Sequence, residues 1–165
     1  MKIAAMKRLA FLTSLLASVV AFQAAASAET IKLIVTRTQN DTNTTTGIFK
    51  ALTQGGATSV SFNTTAASTV VKLTYNAECG VLGPAQAWVA VTVFVDGVEA
   101  NPKNNTDFAM CSAASATTYE WVGAVRQSFV RVGAGAHRVQ IRVDLLNGAT
   151  KWWLGDTSLV IETQP

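Results

Sequence analysis

The chain has little with which to do acid–base or metal chemistry. One histidine and two cysteines stand among 165 residues. A lone histidine excludes an HExxH zinc helix, and neither a P-loop nor a dinucleotide fingerprint is present. Cys79 and Cys111 form no CxxC, and His137 is remote from them in sequence, so a metal pair has no support. No metal and no cofactor are expected. The carboxylates are scattered without a pair that stands out. A Ser-His-Asp triad would have to use His137, which falls beside the glycine-rich stretch Gly133–Ala136 and reads as a turn-flanking residue. A catalytic role is therefore not expected.

A charge surplus is missing too. The formal net charge is +3, but the excess comes from Lys2, Lys7 and Arg8. From residue 29 onward ten Lys and Arg balance ten Asp and Glu. A protein that neutralises phosphates would keep a basic surplus, so no nucleic-acid partner is expected. Long apolar runs are absent after the first one. The best is Trp88 to Val95, against roughly 20 residues for a spanning helix, so no membrane span is expected.

What is there begins at the N-terminus. A basic start is followed by an apolar run from Leu9 to about Phe22, then Ala26-Ser27-Ala28. This is the pattern of a secretory signal peptide, residues 1–28, cleaved before Glu29. It leaves 165 − 28 = 137 residues, one domain at 29–165 by the length prior and long enough to bury its own core. No cysteine stands at the cleavage point, so a lipid anchor there is not expected. A secreted or periplasmic bacterial protein is the reading. Asn-x-Thr triplets at Asn40, Asn43, Asn63 and Asn104 would be glycosylation acceptors only in a eukaryotic host. In an exported chain the two cysteines most simply make one bridge, Cys79–Cys111.

Beyond the leader no stretch shows a helical period, and period-two alternation recurs. Ile31, Leu33 and Val35 alternate with polar neighbours, as do Val60 and Phe62. Val71, Leu73, Tyr75 and Ala77 alternate with Lys72, Thr74, Asn76 and Glu78. Val139, Ile141, Val143 and Leu145 alternate with Arg138, Gln140, Arg142 and Asp144. Trp88 to Val95 is apolar on both faces except at Thr92 and reads as a central strand. Leu159 and Ile161 close the chain. Turn signals fall between the runs at Asp96-Gly97, Gly133–Ala136, Asn147-Gly148 and Gly155-Asp156. Asp41–Thr46 and Asn101–Asp107 read as loops. The expected fold is all-β, a two-sheet antiparallel sandwich of jelly-roll type with one disulfide.

One hairpin is registered from the pattern. A loop at Gly133–Ala136 sets Val132 opposite His137, Arg131 opposite Arg138 and Val130 opposite Val139. The valines then share the core face, and Arg131, Arg138 and Arg142 share the other.

Ala77-Glu78-Cys79, Val93–Glu99 around Asp96-Gly97, Thr106–Ala109 before Cys111, Gly133–Val139 and Leu154–Val160 together resemble a group of small exported bacterial β-sandwich proteins. Their order also resembles jelly-roll carbohydrate-binding modules and, more loosely, C1q/TNF-type jelly rolls. The resemblance spans Val71 to Glu162. It implies a sandwich fold and transfers no catalytic residue.

Candidate binding residues come from the aromatics and arginines. Trp152 and Trp153 are adjacent, so a strand must send them to opposite faces. An exposed tryptophan there, or Trp121, is a candidate sugar-stacking surface, with a protein interface and plain packing as alternatives. Arg131, Arg138 and Arg142 are a candidate carboxylate or phosphate clamp, or else pair with Glu120, Asp144 or another strand's carboxylate. Asp41-Thr42-Asn43-Thr44-Thr45 spaces oxygens like a calcium loop. However, Thr46 and Leu52 replace the glycine and glutamate of an EF-hand, so that reading fails. A contribution to a calcium site of other geometry stays open beside the plainer reading of a solvated loop. The leading functional expectation is a non-catalytic exported module for glycan or cell-surface ligands. The alternative is a structural or surface-assembly subunit, and a homo-oligomer stays open with it. The leader carries its own check: the intact mass of the exported protein should correspond to a chain starting at Glu29, and a retained N-terminus would overturn the assignment.

Overall fold

A computed structural model describes residues 30–103 and 108–164. The leader read at 1–28 lies outside the described residues, as do the last positions of the loop read at Asn101–Asp107. Every regular element among the described residues is a strand. In chain order they are β1 (Thr30–Arg37), β2 (Asp41–Asn43), β3 (Ile48–Phe49), β4 (Val60–Thr64), β5 (Thr69–Leu82) and β6 (Trp88–Val95). They continue with β7 (Val98–Glu99), β8 (Ala109–Ser112), β9 (Val122–Val132), β10 (Gly135–Leu146) and β11 (Lys151–Gln164).

Two antiparallel sheets result. One runs β1–β11–β5–β9, with β2 also on β11; the other runs β3–β10–β6–β7, with β4 also on β10 and β8 also on β6. This is the expected all-β sandwich. Its core is built by alternation. Val71, Leu73, Tyr75, Ala77, Cys79 and Val81 of β5 face inward and are buried. Val89, Val91, Val93 and Val95 of β6 meet them from the other sheet, with Val139, Ile141 and Val143 of β10. β6 is bonded on both sides, to β10 and to β7 and β8. That central position explains why its outer face also lacks charge.

The structure corrects the registered hairpin. β9 pairs along its whole length with β5, Thr69 opposite Val132 through to Cys79 opposite Val122. β10 pairs instead with β4, β6 and β3. Residues 133–134 therefore carry the chain from one sheet to the other. Val130, Val132 and Val139 do share the core, but they meet across it from opposite sheets. Alternation records which face is buried and is blind to which sheet supplies it.

The turn signals divide in the same way. Asp96-Gly97 and Asn147-Gly148 have positive φ at both positions, 52° and 79°, then 51° and 82°. That geometry turns tight hairpins in step with the twist of the strands. Gly155-Asp156 is no turn between elements. It is a bulge inside β11, where the register against β5 shifts between Gly155 and Ser158. A Cβ on residue 155 would lie 2.0 Å from Asn40 Oδ1, so only glycine lets the loop before β2 close onto β11. Asp41–Asn43, read as loop, forms the short strand β2 on Trp152–Leu154.

The Cys79–Cys111 disulfide is formed, joining β5 to β8 across the two sheets with its ends 32 positions apart in sequence. Closing a loop of that length restricts the unfolded chain by about 3–4 kcal/mol. A Cys79→Ala/Cys111→Ala variant should lose about that much stability in chemical denaturation. An unchanged midpoint would overturn the estimate.

Candidate functional site

The site is built where β5, β11 and the segment before β9 meet. Trp152 lies opposite Val81 and Trp153 opposite Gly80. Alternation sends Trp152 inward, 1% exposed, where its Nε1–H points to Thr45 O at 3.4 Å. Trp153 faces outward. Its partner Gly80 has no side chain, and the space is taken by Tyr119: a Cβ on residue 80 would lie 3.1 Å from Tyr119 Cδ2. The Tyr119 ring stacks on Trp153 at 4.1 Å and 23°. Trp121 meets Tyr119 edge-on at 5.6 Å and 87°. Lys151 Nζ stands 4.7 Å from the centre of the Trp153 ring, within the range of an ammonium–π attraction.

The backbone holds this cluster in place. Cys111 is tied to Cys79, the neighbour of Gly80. Ser115 Oγ then accepts from Thr117 N at 3.1 Å and Thr118 N at 2.9 Å, and this turn delivers Tyr119 to the sheet. Tyr119 and Trp121 remain 40% exposed. The result is an apolar ring surface with one cation at its side, on the outer face of the β1–β11–β5–β9 sheet.

Of the expected residues, the structure brings Trp121 and Trp153 together and puts Trp152 in the core. Tyr119 was not among them. Its signal was available: Tyr119 and Trp121 are two apart, the spacing that puts both rings on one side of an extended segment.

The arginines do not form one face. Arg131 projects from the outer face of one sheet and reaches Ser68 Oγ at 2.9 Å. Arg138 and Arg142 project from the outer face of the other sheet, because β9 and β10 do not pair. Arg142 Nε donates to Asp144 Oδ2 at 2.8 Å, one of the partners anticipated for it, and its guanidinium lies 5.1 Å from the Phe94 ring centre. A three-arginine clamp is ruled out by this separation.

His137 has neighbours that superficially suggest catalysis. Its Nδ1 lies 2.7 Å from Asp96 Oδ2, and its Nε2 lies 3.0 Å from Thr64 Oγ1. The proton positions argue otherwise. Nε2 also lies 3.0 Å from Gly133 O, and a carbonyl oxygen only accepts, so Nε2 carries a hydrogen. The Thr64 hydroxyl donates to the same carbonyl. Nε2 therefore cannot take a proton from Thr64, and Thr64 is buried. The group is a clamp on the crossing at residues 133–134. Burial pushes the Asp96 carboxyl up, but His137 and the Arg138 N–H outweigh it and hold it below its ordinary 3.8.

Asp41, the first residue of the calcium-like stretch, is committed to cations of the protein itself. Arg37 Nη2 reaches its Oδ1 at 2.8 Å, Arg37 Nε reaches its Oδ2 at 3.2 Å, and Lys50 Nζ bonds Oδ2 as well. Lys50 is buried, and burial pushes its ammonium below the usual lysine range although Asp41 pulls it back. Burial raises the Asp41 carboxyl, and the bonds from Arg37 and Lys50 overcome that and hold it below 3.8.

No protein-family model matches this chain, and no curated protein matches it by sequence. Solved structures do resemble it. The sugar-binding C-terminal domain of EclA is 12% identical over 74% of this chain and 78% of its own, with a TM-score of 0.39. A family 35 carbohydrate-binding module from Clostridium thermocellum is 13% identical over 83% and 98%, with a TM-score of 0.31. A carbohydrate-binding module of Cellvibrio mixtus lichenase 5A, solved with cellotriose, is 18% identical over 82% and 98%, with a TM-score of 0.37. At these identities and scores the likeness assigns neither a ligand nor a residue to this chain.

The Asp41 cluster makes a pH prediction. A carboxylate whose folded value is depressed contributes stability above its unfolded value, and the contribution is lost as pH falls through the folded one. Acid titration of stability should therefore show a loss beginning near 3.8 and continuing below it. Asp41→Asn should be less stable at neutral pH and lose less over that acid window. Parallel acid limbs for the two proteins would refute the assignment.

Proposed function

We propose that this chain is a non-catalytic exported binding module for glycan ligands, secreted or periplasmic, with the rings of Tyr119, Trp121 and Trp153 as its contact surface. The observation that carries this reading is the partly exposed ring cluster beside Lys151. Trp153 and Tyr119 are stacked and Trp121 braces them, so the surface is rigid before a ligand arrives and little side-chain freedom is lost on binding. A pyranose ring has one face of C–H bonds and a rim of hydroxyls. Such a face covers apolar ring area while the rim stays hydrated or takes a hydrogen bond from Lys151 Nζ. The disulfide and the leader read at 1–28 support the extracytoplasmic location.

A surface-assembly subunit is the second reading, favoured by strand β9. It bonds β5 on one side, and on the other an isolated bridge joins Asn101 to Phe129. Val122, Val125 and Phe129 along it are exposed. Among the described residues no strand pairs with the rest of that edge, and an unpaired edge is a template for strand addition. Sedimentation across a concentration series separates the two: growing polymers favour assembly, and a constant monomer favours binding.

The ring surface is tested by mutation. A glycan and polysaccharide screen should find a ligand, and Trp121→Ala should abolish its binding with an almost unchanged melting temperature. Trp152→Ala, one residue from the site but in the core, should instead cost roughly 3–5 kcal/mol of stability. Binding that survives Trp121→Ala and Tyr119→Ala alike would overturn the platform.

A further inference from the structure

One buried charge has no counter-charge bonded to it. Arg126 stands on β9 opposite Tyr75, and both side chains are buried on the inner side of the sheet. Arg126 is 1% exposed. The Phe108 ring covers its guanidinium, with the ring centre 3.9 Å from the guanidinium carbon. Nη2 donates to Pro102 O at 2.8 Å. Pro102 follows Asn101, whose N–H and C=O both bond Phe129, so the head of Arg126 leans along β9 toward Ser128. Ser128 is two residues on, hence on the same side of the strand, and is 0% exposed. Among the described residues, Arg126 Nε, Arg126 Nη1 and Ser128 Oγ are buried without a hydrogen-bond partner.

These three groups define a ligand. Burial lowers the guanidinium from its ordinary value, and Glu99 offsets part of that through space. An arginine keeps its charge regardless. Its one bonded acceptor is a neutral carbonyl, and a buried cation without a counter-charge is costly. Nε–H, Nη1–H and the Ser128 hydroxyl can all donate to one acceptor. A water would take these bonds and leave the charge uncompensated. A carboxylate would compensate it, but its carbon chain would need an opening to solvent that residues so fully buried do not provide. A monatomic anion meets both conditions.

We propose that the inner side of β9 holds one halide ion, of which chloride is the common case, between Arg126 and Ser128. The ion accepts from Nε, Nη1 and Oγ and supplies the missing negative charge. It ties the middle of β9 to the segment at Pro102, which leads toward the other sheet. The site does not rest on the ring surface or on any glycan.

The test is urea unfolding of the disulfide-bonded protein at constant ionic strength, with chloride exchanged for gluconate. The midpoint should rise with chloride, by an equal increment for each tenfold increase beyond the dissociation constant. Bromide should act alike and, in crystals, give an anomalous peak within hydrogen-bonding reach of Arg126 and Ser128. Ser128→Ala removes one donor and keeps the cation, so chloride should bind about tenfold or more weakly. Arg126→Met, apolar and of similar length, should abolish the chloride dependence. If Arg126→Met does not fold, the Ser128→Ala titration and the bromide map still decide. The proposal is overturned by a midpoint indifferent to the exchange, by a chloride dependence that survives Arg126→Met, by unchanged chloride affinity in Ser128→Ala, or by bromide peaks confined to the surface.

Discussion

The long antiparallel pairing of β11 with β5 is the constraint on which the rest of the molecule depends. From Lys151 opposite Leu82 to Gln164 opposite Val70, it fixes which side chain of each pair meets the core. A one-residue slip would bring Trp153 inward and expel Trp152, Leu154 and Ile161. The burial of Trp152 and the exposure of Trp153 are thus one fact seen from two faces. The Gly155 bulge lets this register survive the close approach of Asn40, and β2 is seated on β11 beside it.

The disulfide extends this logic to the ring cluster. Cys79 points inward and Gly80 outward on the same strand. The covalent tie at one residue and the open surface at the next bring Tyr119 back over the sheet. Stacking alone contributes on the order of 1 kcal/mol, too little to order a nine-residue connection between Ser112 and Val122. The bridge and the Ser115 turn shorten the free segment until that small energy suffices.

Sequence made the faces legible and left the neighbours obscure. Val71 to Ala77 and Val139 to Leu145 announce half-buried strands, and Trp88 to Val95 announces a strand covered on both sides, because burial leaves a period in the residues themselves. Pairing leaves none. Gly133-Ala134-Gly135-Ala136 suits a hairpin and a crossing between sheets equally well, so the arginine face read from it dissolved once β9 and β10 parted. The adjacent tryptophans were informative because a strand has only two faces. The spacing of Tyr119 and Trp121 was legible, but the stacking of Tyr119 on Trp153 was not, because the space it fills is defined by an absent side chain, that of Gly80, far away in sequence on β5. Asp41, read among solvated oxygens, is instead the shared anion of Arg37 and Lys50, and nothing local to Asp41–Thr46 names a lysine at position 50 as its partner.

The pairing of β1 with β11, Thr30 opposite Thr163 through Arg37 opposite Thr157, sets an order of events. The earliest of the described strands to leave the ribosome has the latest of them as its partner. Until the last strand emerges, β1 has no edge to join, and β5 lacks the neighbour that completes its sheet. Closing so wide a loop is an entropic barrier that local contacts cannot lower. The domain therefore cannot fold vectorially from its N-terminus. It stays loose until β11 has emerged, with β1 lacking its partner strand through nearly all of the chain's synthesis.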